Sequence, residues 1–166
     1  MITDLVQIRR LEQQKRGENS RFRAYLKHHR HSDRRLRRFG EDIEAEIDCT
    51  ACANCCRVTE VGITERDIEK LAKFIGVSAR EFLEQFTASD AAGARILKRN
   101  EKGCVFLEGN LCTVYEARPN NCANFPHVVR GTGSIASRMW EFLDRAGYCP
   151  IIYNWMEKVK EDIGFL

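Results

Sequence analysis

The run Cys49-Thr-Ala-Cys52-Ala-Asn-Cys55-Cys56 places four thiols in eight consecutive residues, and four more follow at Cys104, Cys112, Cys122 and Cys149. Two C-x-x-C steps share Cys52. Thiols at i, i+3 and i+6 in a tight turn let successive sulfurs converge on one centre, the spacing that thiolate metal sites use. Adjacent Cys55 and Cys56 are expected to project in different directions, so the run is read as a junction serving two centres.

Working outward, the 166-residue chain is long enough for one full domain with an added arm, and its 43% apolar content can supply a core. A metal is therefore not its only source of stability. The charged stretch Met1 to Arg16 holds no apolar leader segment, and no window approaches ~18 apolar residues. Both observations predict a cytoplasmic protein without a membrane span. In a reducing compartment an even number of cysteines argues for metal ligation or redox chemistry over disulfides.

The net charge of +3 conceals an asymmetry. Residues 1–39 hold twelve Lys/Arg against four Asp/Glu, a net of +8, which leaves −5 for residues 40–166. The sequence thus divides into a basic, amphipathic helical arm over 1–47 and a cysteine-cluster domain over 48–166. Within the arm, 4–16 and 21–47 read as helices broken near Gly17-Glu-Asn-Ser20, with Phe22, Leu26, Leu36, Phe39, Ile43 and Ile47 forming an apolar seam. The cationic face over 21–38 would attract phosphate or another anionic partner, or a protein. With no nucleic-acid-binding fold beside it, a solvated face is the preferred reading and nucleic acid is not favoured. His28, His29 and His31 point about 100° apart from one helical position to the next, so they are not assigned as a metal site.

Downstream, Arg57 to Ile63 reads as extended. Thr64-Glu-Arg-Asp67 and Ser78-Ala-Arg-Glu81 are capping boxes that open a helical hairpin, and Gly76 ends its first helix. Residues 89–95 read as a loop. Ile96 to Arg99, Cys104 to Leu107 and Leu111 to Tyr115 read as short strands, with Cys104 and Cys112 expected on the two strands of one β-hairpin. Pro119 and Pro126 are expected to keep the Cys122 loop extended, and Val128 to Gly133 to form another small hairpin. Gly131-x-Gly133-x-x-Ala136 formally fits a dinucleotide fingerprint but lacks βαβ spacing and is rejected. Ile151, Trp155, Val159 and Ile163 mark a closing helix with Pro150 in its first turn. The expected fold class is α+β: a small cysteine-rich metal-binding domain with a helical hairpin, short β-hairpins and an N-terminal helical arm.

All eight cysteines, Cys49, Cys52, Cys55, Cys56, Cys104, Cys112, Cys122 and Cys149, are candidate metal ligands. A zinc ribbon would pair two C-x2-C knuckles, yet the second half here is C-x7-C-x9-C. The C-x2-C-x2-C run opens a bacterial ferredoxin motif, which closes on a Cys-Pro pair, and Cys149-Pro150 is such a pair. An iron-sulfur cluster, of 4Fe-4S type, is therefore preferred over Zn2+. Cys49, Cys52, Cys55 and Cys149 are read as one centre and Cys56, Cys104, Cys112 and Cys122 as the second. A catalytic thiol pair lacks a thioredoxin-like βαβ context, and His127 near Cys122 is not a convincing dyad. No catalytic residue is assigned.

These motifs resemble the CxxCxxCC cysteine-cluster proteins of YkgJ type. The resemblance is carried by Cys49-x2-Cys52-x2-Cys55-Cys56, Ile63-Thr64 with Asp67-Ile68, Cys104-Val-Phe-Leu107, Cys112-Thr-Val-Tyr-Glu-Ala-Arg118-Pro119, and Cys122 before Phe125-Pro126. It implies a zinc- or iron-chelating domain from Cys49 to about Pro126, with Cys149 belonging as well. A related cluster occurs in flagellin lysine N-methylases, but no S-adenosylmethionine motif is present here. Family members often carry Arg directly after the cysteine of the Arg-Pro loop, where this chain has Ala123, so charge compensation is expected from Arg118 or Arg57. The expected function is a cysteine-cluster metalloprotein with a redox, sensing or structural role. The alternatives are a zinc-stabilised interaction module for nucleic acid or protein, and a metal-dependent enzyme or a subunit of one.

Overall fold

The computed structural model describes residues 1–165 as two compact units, one formed by Met1–Asp48 with Phe125–Leu166 and the other by Cys49–Asn124. The basic segment over 1–47 thus shares a core with residues 125–165.

In the first unit, α1 (Leu5–His28) and α2 (Asp33–Glu46) are capped by Asp4 and Ser32, whose side chains accept from the amides of Gln7 and Arg35. The break expected at Gly17–Ser20 is absent, and the chain turns at residues 29–32 instead. The polar residues of the expected break are satisfied inside the helix: Ser20 Oγ donates to the Arg16 carbonyl at 3.0 Å, and buried Asn19 accepts from Lys160. A lone glycine costs an interior helix only about 1 kcal/mol, too little to interrupt packed neighbours. At the other end of the chain lie two further helices, Ile135–Arg145 and Pro150–Asp162, here α8 and α9 in chain order. The last packs against α1 and α2. Phe22, Leu26, Leu36, Met139, Phe142, Ile152, Trp155 and Val159 form the core. Each such side chain contributes roughly 1.5–3 kcal/mol on burial. The indole N–H of Trp155 donates to the Leu36 carbonyl at 2.8 Å. No hairpin forms over 128–133, where the chain makes turns and bends before Ser134 caps the unpredicted helix.

In the second unit, α3 (Cys49–Cys52) and α4 (Asn54–Val58) are single turns, so the segment from Arg57 begins helical and becomes extended only from Thr59. The helices α5 (Glu65–Ile75) and α6 (Ala79–Phe86) carry both predicted capping boxes, with Gly76 left-handed at φ 85°. Three antiparallel strand pairs follow: β1 (Thr87–Ser89) with β2 (Arg95–Leu97), β3 (Arg99–Asn100) with β4 (Gly103–Cys104), and β5 (Leu107–Glu108) with β6 (Leu111–Cys112). Cys104 therefore faces Arg99 and Cys112 faces Leu107, on two hairpins and not one. A 3-10 turn (Tyr115–Ala117) leads to α7 (Asn120–Asn124), so Cys122 sits on a helical turn and not in an extended loop. Pro119 holds Arg118 extended as predicted, at φ −52° and ψ 146°, and then supplies the carbonyl that receives the Ala123 amide. Ile68, Leu71, Phe82, Leu97, Phe106 and Val114 form the core. The α+β class holds for the described residues. None of their helices is long and apolar enough to cross a membrane.

Candidate metal centre

Seven of the eight cysteines lie in the Cys49–Asn124 unit. Cys49 is exposed at the start of α3, and Cys52 ends it. Ala53 then adopts φ 45°, the left-handed conformation that closes a turn, and redirects the chain into α4. Cys55 and Cys56 follow, and Thr59 closes the turn through its amide and hydroxyl, both donating to the Cys55 carbonyl at 3.0 and 2.5 Å. The remaining three thiols of this unit come from β4, β6 and α7. Cys149 lies in the other unit, buried in its apolar core at the residue before α9.

Side chains outside the cysteines set the position of these elements. Arg57 Nη1 donates to the Cys52 carbonyl at 2.9 Å, and Nη2 to the Gly109 carbonyl at 3.0 Å and to Asn110 Oδ1. Asn110 Nδ2 returns a bond to the Ala51 carbonyl at 3.2 Å, so the β5–β6 turn is fastened to α3. Arg99 on β3 donates to the carbonyls of Arg57 and Thr59. Asp67 accepts the Asn120 amide at 3.0 Å as well as the Thr64 amide and hydroxyl, which seats α7 against the start of α5. Burial opposes its charge, yet these bonds and Lys70 hold its carboxyl below the usual range. Sequence reasoning missed Arg99, Gly103 and Asn110. The one available signal was the Lys-Gly-Cys104 turn.

Gly103 brings the β3–β4 hairpin onto the cluster. A Cβ there would fall 2.5 Å from the Cys56 carbonyl oxygen and 2.7 Å from Arg57 Cα, and φ is +123°. Gly103→Ala is expected to cost about 1–3 kcal/mol from backbone strain alone and more from the clash, and to weaken metal binding although it removes no donor. Chelator competition on the purified variant checks this, and wild-type affinity would show that the approach of the hairpin is dispensable.

Four of the thiols are coupled through their charges. A hydrogen bond from Cys55 lowers Cys56 to about 7 against the opposition of burial, with help from the Arg57 charge. Burial pushes Cys104, Cys112 and Cys122 up, the last to about 12, and each also senses the charge on Cys56. Cys112 also raises Cys104, and both raise Cys122. Arg99 compensates Cys104, and Arg118 compensates Cys112 and Cys122. Where compensation for the arginine absent at position 123 was expected from Arg118 or Arg57, Arg57, Arg99 and Arg118 each bring positive charge to one or more of these thiols.

The Cys55 and Cys56 sulfurs lie 4.0 Å apart, so these side chains do not diverge as adjacency suggested. One turn of helix begins between Ala53 and Asn54, and the two thiols lean together on it. Among the described residues no three His, Cys, Asp or Glu side chains already stand at ligand spacing. A cysteine redirects its sulfur through a single torsion, χ1, which is the freedom by which neighbouring thiols turn toward a metal. The donor set fits soft, thiophilic metals: thiols that repel one another when ionised are stabilised by a cation among them.

No solved structure matches the chain. A family model, CxxCxxCC, described as a "putative zinc- or iron-chelating domain", matches residues 48–150 and takes in all eight cysteines. With well over half of its length inside that match, and with the cluster, the capped helix at Thr64 and the Arg118-Pro119 turn in place, the chain belongs to the CxxCxxCC family of zinc- or iron-chelating domains.

Proposed function

We propose that the protein is an iron-sulfur protein whose centre is held by thiolates of the Cys49–Asn124 unit and serves electron transfer or oxidant sensing. The observation that supports this reading is that Cys56, Cys104, Cys112 and Cys122, on four separate elements, lie within reach of one another's charge. Beside them Cys49 and Cys52 share the turn α3 and Cys55 lies on α4, in ferredoxin-like spacing, and seven thiols exceed what a single four-coordinate ion takes. When bound, such a centre supplies one-electron chemistry. The chain's own contribution is to hold thiolates in place with Arg57, Arg99 and Arg118 and to keep Cys122 half-buried. Cys149 joins the donor inventory on sequence grounds, and unchanged iron and sulfide in Cys149→Ser would remove it.

A zinc reading is favoured by one distance. Two thiolates on a tetrahedral zinc with bonds of about 2.3 Å stand roughly 3.8 Å apart, close to the 4.0 Å between Cys55 and Cys56. Anaerobic purification with elemental analysis decides between them. Iron with stoichiometric inorganic sulfide and a thiolate-to-iron absorbance band is the expected result; a colourless protein with stoichiometric zinc overturns it in favour of the second reading.

A further inference from the structure

The cations of the first unit divide into those that are used and those that are not. On α2, Arg35 is paired with Asp162, and Arg37 is spent on the carbonyls of Val128, Val129 and Gly133. Along α1, by contrast, Arg9, Arg16, Arg23 and Lys27 recur at steps of seven, seven and four, which places all four on one face of the helix. This stripe is roughly 27 Å long at the α-helical rise. Arg9 and Lys27 are exposed, Arg23 is half-buried, and none of the three makes an ion pair among the described residues. Arg16 meets only Glu12, at 3.5 Å, with 72% of its side chain exposed.

The stripe borders α8. Lys27 shares the wall of one cavity with Ser134 and Ala136, while at the far end a Cβ on Gly147 would lie 3.5 Å from Glu12 Oε2. The two helices therefore run antiparallel, and Trp140, midway between Ser134 and Gly147, stands level with the middle of the stripe. Ala136 and Leu143, on the same side of α8, are half-buried, but Trp140 is 59% exposed. An aromatic ring is thus left open to solvent beside a row of cations. The acids bordering this face are Glu12, held by Arg16, and the exposed Asp144, one turn beyond Trp140.

The composition of the face selects its partner. A protein interface needs a contiguous apolar centre, and an anchor in a bilayer needs a row of apolar side chains. On α1 and α8 the exposed large hydrophobics among the described residues are Val6 and Trp140 alone, and Val6 is one turn before the start of the stripe at Arg9. A single flat ring among cations suits a nucleobase stacked beside a charged backbone. The base has to be unpaired, because a duplex keeps its bases stacked on one another. We propose that the α1–α8 face binds single-stranded nucleic acid, with Arg9, Arg16, Arg23 and Lys27 along its phosphates and one base stacked on Trp140. The surface uses none of the cysteines and stands whether the metal is iron or zinc.

The test follows the anisotropy of a labelled oligothymidylate titrated with the full-length protein at several salt concentrations. Four neutralised phosphates give a slope of about −2.8 for log affinity against log salt, and Arg16→Gln with Lys27→Gln reduces it by about 1.4. Trp140→Ala is expected to weaken binding at least about fivefold, and Trp140→Phe, which keeps a ring, to restore most of the loss. These three side chains are exposed, so the variants keep their fold and metal content. Arg66→Gln with Lys73→Gln, the same change of net charge on α5, leaves binding unchanged. Wild-type affinity in Trp140→Ala, or an equal loss from the α5 pair, overturns the proposal. Equally tight binding of polyglutamate or of phosphatidylserine vesicles overturns it as well, in favour of an acidic protein or a membrane surface.

Discussion

Cys56→Ser is expected to lose at least about 100-fold in metal affinity, more than any single cysteine change on α3. Cys56 is the one thiol of the coupled four whose ionisation the protein favours, at about 7, so it meets an incoming cation already about half ionised at neutral pH. Cys104, Cys112 and Cys122 lie above the ordinary thiol value of 9.0 and must surrender protons when a metal binds. The sign follows directly: protons compete with metal, so affinity rises with pH. For an ion held by these four, three protons leave per metal between about pH 7 and 9, and a fourth leaves below pH 7, where Cys56 is itself protonated. The plot of log affinity against pH should therefore steepen below 7 in the wild type and keep its shallower slope in Cys56→Ser. Competition against a chromophoric chelator at pH 6, 7 and 8 measures both, and an unbroken slope in the wild type would mean that Cys56 is not a ligand.

The largest expected loss of stability lies elsewhere, at Lys160. Its side chain is fully buried, and its three ammonium donors are all used, on Glu18 Oε1 at 2.5 Å, Asn19 Oδ1 at 2.6 Å and Glu157 Oε1 at 2.7 Å. The Phe22 ring lies 5.8 Å from the same nitrogen. Burial presses the Glu157 carboxyl upward, but the bonded ammoniums of Lys15 and Lys160 overcome this and hold it below its ordinary value. Lys160→Met keeps the apolar stem and removes the charge, which leaves Asn19 without its donor and two carboxylates short of a cation. Breaking a buried pair in this way costs roughly 3–5 kcal/mol. Denaturant unfolding followed by the fluorescence of buried Trp155 reads it, and a loss below about 1 kcal/mol would show that solvent carries the network.

Much of the local structure was legible because its causes lie within a few residues. Thr64 with Asp67 and Ser78 with Glu81 close their boxes inside one turn, and Pro150 opens α9 by its fixed φ. The unpredicted α8 had a signal of the same kind, Ser134 followed by Ile135, Met139 and Phe142 at helical spacing, which the glycines at 131 and 133 obscured. The opposite error, a break at Gly17–Ser20, gave local propensity a weight that packing overrides: Lys160 reaches Asn19 from the far end of the chain.

The sequence by itself determined the number and spacing of the thiols, the two capped helices and the family, since thiol spacing and capping chemistry are written in adjacent residues. Only the tertiary structure decided that Cys104, Cys112 and Cys122 lie near enough to Cys56 to sense its charge, and that Cys55 leans toward it. That convergence depends on Gly103 admitting a hairpin against α4, on Asp67 seating α7, and on Phe82, Leu97, Phe106 and Val114 packing into one core. Those contacts join residues far apart in the chain, and their free energy comes from burial and long-range hydrogen bonds that no local pattern encodes.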